Sequence, residues 1–491
     1  MYSYLFLDLL IIFCKIDHFF ILFIELLTVS LPTRRIMTKA ISTSIFDIFK
    51  IGPGPSSSHT IGPMKAAGIF LQRLQEMPID SQQRINSIDV YLYGSLSATG
   101  LGHGTHKALL GGLLGWTPEG CDSDQLLKLL EKNDDLYEIA VGSEKIALQR
   151  KNIHFSGTRE DLQYQNTLVF KACYNDECLL RGEYYSVGGG FILEKGAVQP
   201  VLPDFPHHFS NMSELSSLVR EGDCQLHEII LENEIQLSGK SPQQIDERLD
   251  QILQSMRDSV KSGLSRDGVL PGPIGLHRKA RALFLHSQKV SNQHDKYLAL
   301  LNAYALAASE ENAAGRKVVT APTSGSAGII PGIVSLLDRH FQMSPEQMRH
   351  GLVAAAAIAF VARHNASIAG AEVGCQGEVG VAAAMAAAFL AHANGGSIRE
   401  VENAAEIALE HHLGLTCDPI EGYVQIPCIE RNAMGAVSAY NAYVLATVGE
   451  PLRQKISLDQ VIEAMRLTGA EMSSKYKETA LGGLAVSFVH C

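Results

Sequence analysis

Positive charge is what this sequence has too little of. Its 41 Lys and Arg stand against 52 Asp and Glu, for a net charge of -11 over 491 residues. A basic stripe, the footprint of non-specific nucleic-acid or anionic-membrane binding, is thereby excluded, so neither partner is expected. No C-x-x-C occurs among the nine cysteines, at positions 14, 121, 173, 178, 224, 375, 417, 428 and 491. That excludes a zinc ribbon, and nine cysteines over this length are too sparse for a disulfide scaffold. An odd count points to reduced thiols and a cytoplasmic location. Cys121, Cys173, Cys178 and Cys224 fall in polar connectors or beside a turn and are expected at the surface or in a hairpin.

A long charge-free apolar run is also missing where one would look for it. The first 36 residues are the most apolar stretch, yet Asp8, Lys15, Asp17 and Glu25 leave no uncharged run longer than eight residues. A transmembrane helix needs about 18 or more. A secretory signal is basic first and ends on small residues, whereas here the basic pair Arg34-Arg35 comes last and no A-x-A follows. Translation is expected to start at Met37, with residues 1–36 a mis-called upstream extension.

What is present is an ordinary globular composition, 46% hydrophobic and 19% charged with 43 Gly, enough for two or three domains. Residues 37–205 are expected to form an α+β domain. Ile88–Tyr93 has the β-branched and aromatic content of a strand and runs into GSLSATGLGHGTHKALLGGLLG, a glycine-rich turn opening an apolar helix. Thr167–Cys173 and Leu179–Val187, joined across Asn175-Asp176, form a hairpin. Residues 206–225 are expected to be a linker. Residues 226–491 are expected to be all helical, with windows at Pro242–Gly263, His277–Leu285, Lys296–Ser309, Pro345–Arg363, Gly377–Ala393, Ile398–Leu413, Ile429–Val448 and Leu458–Thr468. Two of them, VAAAAIAFVA and VGVAAAMAAAFLA, are rich in small residues, which lets helix backbones approach closely.

Three cysteines lie in loops whose composition packing does not explain: AGAEVGCQGEVG around Cys375, LTCDPIEG around Cys417 and QIPCIERNAMG around Cys428. A lone buried cysteine is usually a small hydrophobe. Three in glycine- and proline-broken loops suit a soft metal, because loop and helix-start N–H groups stabilise the thiolate. Three thiolates suit an iron-sulfur cluster with one iron left open, since a closed [4Fe-4S] centre takes four.

The stretches SIFDIFKIGPGPSSSHTIGPM, YGSLSATGLGHGT, YYSVGGGF, VVTAPTSGSAGIIPG, NASIAGAEVGCQGEVG and CDPIEGYVQIPCIERNAMGA, running in order from about Ser44 onward, resemble those of the bacterial iron-sulfur L-serine dehydratases. The resemblance implies a [4Fe-4S]-dependent lyase, free of pyridoxal phosphate, that converts L-serine to pyruvate and ammonia. It implies Cys375, Cys417 and Cys428 as cluster ligands, the terminal Cys491 as a displaceable fourth ligand, L-serine as the small-molecule partner, and a homodimer. Many members carry His-x-Asn where this chain has Tyr164-Gln165-Asn166.

The first domain is expected to complete the pocket. In Ser56-Ser57-Ser58-His59-Thr60, hydroxyls and backbone N–H groups share one loop, so Ser57, Ser58 and Thr60 are candidate carboxylate binders. His103, between Gly102 and Gly104, has little local packing and is assigned as the base for the α-proton, with His59 the alternative. Thr323, Ser324 and Gly325 precede an apolar run and read as a helix N-terminus for the substrate carboxylate or the cluster's charge; without a G-K-[ST] ending they do not suit a nucleotide. Asn365, Ser367 and Glu372, just upstream of Cys375, are candidates for substrate or supporting contacts. Two competing readings remain: an iron-sulfur redox or iron sensor without turnover, and a pyridoxal-dependent β-eliminase.

Overall fold

A computed structural model describes residues 40–157, 162–197, 203–448 and 454–487. The expected extension 1–36, the start at Met37 and Cys491 lie outside the described residues. The described residues from Ile41 onward form one compact unit, with a sheet-bearing N-terminal region and a mostly helical C-terminal region, as the sequence patterns predict.

The strands, in chain order, are β1 (Ile51–Pro53), β2 (Ser87–Gly94), β3 (Tyr137–Val141), β4 (Glu144–Leu148), β5 (Ile153–Phe155), β6 (Asn166–Tyr174), β7 (Glu177–Ser186), β8 (Ile192–Glu194) and β9 (Lys317–Val319). Five of them make a sheet of order β5-β2-β6-β7-β8, in which only the β2–β5 pair is parallel. Alternation explains β2: Ile88, Val90 and Leu92 are buried while their neighbours are half-buried. Asn175, at φ 51° between β6 and β7, supplies the turn. Helices Gly62–Gln75 and Thr105–Leu113 pack with this sheet around Phe70, Leu109, Phe170 and Tyr184. Their close approach requires Gly112, where a Cβ would lie 2.3 Å from the Met64 carbonyl oxygen and 2.7 Å from the Ala67 Cβ.

The C-terminal region is built around the helix Val379–Ala393, every residue of which is buried. A helix apolar on all sides must be covered on all sides. Helices Pro345–Asn365, Ile398–Glu410 and Cys428–Val448 do so, and alanines on the facing surfaces keep the backbones close. Local sequence sets the helix starts: at Ser241, Ser344, Ser397 and Ser457 the hydroxyl caps a backbone N–H three residues on, and Gln or Glu at that position reaches back. Among the described residues no single helix is long and apolar enough to cross a membrane. The bent pair Pro345–Asn365 and Gly370–Gln376 passes by composition only, and its alanine-rich stretch is buried in this core.

Three local features differ from the sequence reading. The segment 206–225 carries the helix Met212–Glu221, whose Met212 and Leu215 enter the helical core, because an amphipathic helix capped by Asn211 lies within the polar stretch. Ile41, Ile45, Ile48 and Phe49 pack into the helical core rather than against the sheet, and β1 pairs with β9 across the two regions. Cys121 is buried rather than at the surface, its thiol directed at the Pro118 carbonyl oxygen. Cys173 and Cys224 are half-buried and Cys178 is exposed.

Candidate active site and metal centre

Cys375 occupies a single 3-10 turn, Gly374–Gln376, just ahead of the central helix. Cys428 is the first residue of the helix Cys428–Val448. Cys417 lies in the loop between them and is held from both sides by the C-terminal segment: its N–H donates to Tyr476 O at 2.7 Å, and its carbonyl accepts from Glu478 N at 2.8 Å. All three are buried and line one cavity with Pro55, Ser56, His103, Gly325, Glu378 and Glu478. The Cys375 and Cys417 sulfurs and a Glu378 carboxylate oxygen lie within 4.8 Å of one another. A hydrogen bond with Cys375, reinforced by burial, pushes the Cys417 thiol well above its ordinary pKa. Burial and the neighbouring Cys375 push up Cys428 as well. Such thiols are held protonated by each other's proximity and lose their protons when a cation sits among them. Arg431 is the fixed cation nearby; burial opposes its charge, but Cys375, Cys428 and Asp418 raise its pKa.

The cradle depends on Gly370. A Cβ there would lie 2.9 Å from Glu378 Oε2 and 3.2 Å from Cys417 Sγ, so any side chain would enter the space beside the thiols. Three convergent soft donors, a cavity and a glycine that keeps it open fit a thiolate-held iron-sulfur cluster.

One histidine, His103, lines the same cavity, and a second, His59, packs against it. His103 has neither ring nitrogen hydrogen-bonded, although it is fully buried. Its ring centroid is 4.5 Å from that of His59. Burial first, then His59, lower the His103 pKa well below the usual value, so the ring is neutral with a lone pair available. His59 is engaged at both nitrogens: Nδ1 with Ser58 Oγ at 2.8 Å, and Nε2 with Ser95 Oγ and Thr99 Oγ1, each at 3.1 Å. Burial lowers its pKa to about 4. The two histidine loops are cross-tied, Thr60 Oγ1 donating to His103 O at 2.9 Å and Thr105 Oγ1 to His59 O at 2.7 Å. Gly104, at φ 65°, gives the turn that starts the helix after His103.

Two carboxylates complete the pocket, and the sequence reading assigned neither. Glu478 Oε1 is 3.4 Å from both His59 Nδ1 and Ser58 Oγ, and its carbonyl accepts from Ser95 Oγ at 2.7 Å. Glu378 accepts a hydrogen bond from Thr323. Burial, then mutual proximity, raises Glu378 to about 8; burial, then Cys375, raises Glu478 to about 8. The only sequence signal for Glu478 is its place in the polar run SSKYKET after the last helix; Glu378 stands within the Cys375 motif itself.

The remaining expected residues divide. Gly325 reaches the cavity and Thr323 touches Glu378, while the Ser324 hydroxyl is buried without a partner. They lie in a loop, the helix starting only at Ile329. Ser56, rather than Ser57, lines the wall; Ser58 bonds His59 and Thr60 bonds backbone. Asn365 turns away to the carbonyls of Ser210 (2.8 Å) and Val361 (3.0 Å). Ser367 donates to the exposed Glu372 and accepts from Ala369 N, and neither Ser367 nor Asn365 lines the cavity. Tyr164 packs its ring at a tilt against Tyr185 of β7, with centroids 4.7 Å apart.

The serine dehydratase beta chain family model matches residues 44–197, and the serine dehydratase alpha chain model matches residues 221–485. The chain is 43% identical over 457 residues to L-serine dehydratase TdcG of Escherichia coli, covering 91% of this chain and 99% of the relative. It is 44% identical over 463 residues to an L-serine dehydratase of Streptomyces coelicolor (91% and 99%), and 39% identical over 473 residues to one of Helicobacter pylori (90% and 98%). The chain therefore belongs to the serine dehydratase family, with its beta and alpha parts fused in one polypeptide.

Proposed function

We propose that this protein is an L-serine ammonia-lyase that dehydrates L-serine to pyruvate and ammonia, with a [4Fe-4S] cluster held by Cys375, Cys417 and Cys428. The observation that carries the reading is a fully buried histidine, His103, with both ring nitrogens unpartnered, on the wall of the cavity that the three thiols line. Leaving such a group unsatisfied costs about 1–3 kcal/mol, which a folded protein retains for a use.

The reaction removes a weakly acidic α-proton and a poor leaving group, hydroxide. When bound, the cluster supplies Lewis acidity at an iron free of protein thiolate, which polarises the serine C–O bond. The α-proton goes to a free ring nitrogen of His103, kept neutral by burial. His59 has no nitrogen to spare and instead fixes the Ser58 loop and the Glu478 carboxyl around the substrate. The Ser56 hydroxyl, at the wall, is the donor for the substrate carboxylate, and the unpartnered Ser324 hydroxyl stands next to Gly325, which lines the cavity. The aminoacrylate product tautomerises and hydrolyses in water. Leu484 N donates to Asp418 Oδ2 at 2.7 Å, so the chain leading to Cys491 starts next to Cys417. That anchorage supports Cys491 as a further residue that would help to hold the cluster.

Anaerobic purification, a visible spectrum, iron and sulfide analysis and a pyruvate assay on L-serine test the proposal together. Broad brown absorbance with oxygen-labile pyruvate release is the expected result. A cluster without turnover would select the sensor reading, and a sharp pyridoxal band would select the β-eliminase.

A further inference from the structure

Cys173 and Cys178 face each other at the tip of the β6–β7 hairpin. The register pairs Cys173 with Cys178 and Tyr174 with Glu177, around the two-residue turn Asn175-Asp176. Opposed residues of an antiparallel pair send their side chains to the same face with Cα atoms about 4.5–5.5 Å apart, inside the roughly 4.4–6.8 Å window of a disulfide. The pairing shifts between Ala172 and Cys173, since Ala172 opposes Leu180 and Leu179 is the extra residue. The tip is held from behind: Asn86 Nδ2 donates to Asn175 Oδ1 at 2.9 Å, Asn175 N donates to Asn86 Oδ1 at 3.0 Å, and Asn86 N donates to Cys173 O at 2.9 Å. Arg84 adds an ion pair to Glu177. The two thiols are thus opposed on an anchored turn, and they sense one another: after burial, the charge of Cys178 and its hydrogen bond raise the Cys173 pKa. Cys178 is exposed and Cys173 half-buried, so an oxidant in solvent reaches one sulfur and the second waits behind it. Neither takes part in the cavity chemistry.

We propose that Cys173 and Cys178 form a reversible dithiol–disulfide pair, oxidised by hydrogen peroxide. The Cys178 thiolate attacks the peroxide O–O bond, giving a sulfenic acid and hydroxide. The Cys173 thiolate then attacks the Cys178 sulfur, forming the S–S bond and expelling a second hydroxide. Both hydroxides take up the thiol protons as water, and the two electrons that reduce the peroxide come from the two sulfurs. A thiol reductant returns the pair to the dithiol.

The full-length holoenzyme, treated anaerobically with hydrogen peroxide, quenched with N-ethylmaleimide and cut with trypsin, reads the pair directly. Cleavage after Lys171 and Arg181 puts both cysteines on one peptide, Ala172–Arg181. The expected result is a peptide lighter by two hydrogens and closed to alkylation. Dithiothreitol before alkylation restores two alkylated cysteines, and neither Cys173→Ser nor Cys178→Ser shows the two-hydrogen loss. A peptide that stays doubly alkylated after peroxide, or one that only gains oxygen at Cys178, overturns the proposal.

Discussion

Replacing His103 and His59 in turn by alanine separates the proposed base from its support. His103 and His59 are identical in volume and both fully buried, so the packing lost on truncation is comparable. They differ in hydrogen bonds: His103 has no ring partner to lose, whereas His59 gives up Ser58, Ser95 and Thr99. Ser95 and Thr99 share the single Nε2–H, so two ring hydrogen bonds are lost; at about 0.5–1.5 kcal/mol each, His59→Ala is expected to be less stable than His103→Ala by roughly 1–3 kcal/mol. Turnover is expected to run the other way per folded, cluster-loaded molecule. Loss of a general base costs about 10²–10⁴-fold, so His103→Ala keeps its visible absorbance and melting behaviour while kcat for pyruvate release falls by that factor. Pyruvate is followed by coupled NADH consumption, and stability by anaerobic denaturant unfolding. Turnover of His103→Ala within tenfold of wild type refutes the assignment of the base. Equal stability of the two variants refutes the account of His59 as the hydrogen-bonded support.

Three further outcomes are expected. His392 accepts or donates at 2.9 Å to His227, on whose ring His350 stacks, and burial lowers His227 and His392 to about 4 from 6.5. Between those values the unfolded chain binds protons that the folded one refuses, so stability falls as pH drops from about 6.5 toward 4. For His392 the slope is about 1.4 kcal/mol per pH unit; unfolding midpoints measured from pH 7 to 5 should drop, and His392→Gln should flatten the curve. Gly370→Ala places a Cβ 2.9 Å from Glu378 Oε2 and 3.2 Å from Cys417 Sγ, and is expected to lower iron per chain with an unchanged circular dichroism spectrum; full iron loading would contradict the cradle. Gly112→Val meets backbone at 2.3 Å and should destabilise by at least the roughly 1–3 kcal/mol of ordinary overpacking, read by urea unfolding; a neutral result would mean the two helices can part.

The residues that the fold gathers were legible wherever they sat in a compact string. The three thiol loops, His103 between glycines and the alanine-rich helices are each a local pattern, and the fold brings the thiols and His103 to one cavity. Glu478 was not legible, because its role comes from contacts with Ser58 and Ser95 about 400 positions away, made when the C-terminal segment folds back over the site. Asn365 illustrates the converse: its place near Cys375 suggested a substrate contact, but it ends a helix and caps carbonyls there. The boundary between the two regions was blurred for a similar reason. Residues 41–49 precede the sheet in sequence, yet their apolar side chains complete the helical core, and periodicity alone does not say which core an apolar run joins.

The central claim is tested most directly by pyruvate release from L-serine by the full-length chain, measured anaerobically before and after iron chelation. Turnover that vanishes on chelation and returns with iron and sulfide is the predicted result. Turnover that survives removal of iron, or none from a chain with its iron and sulfide in place, would contradict it.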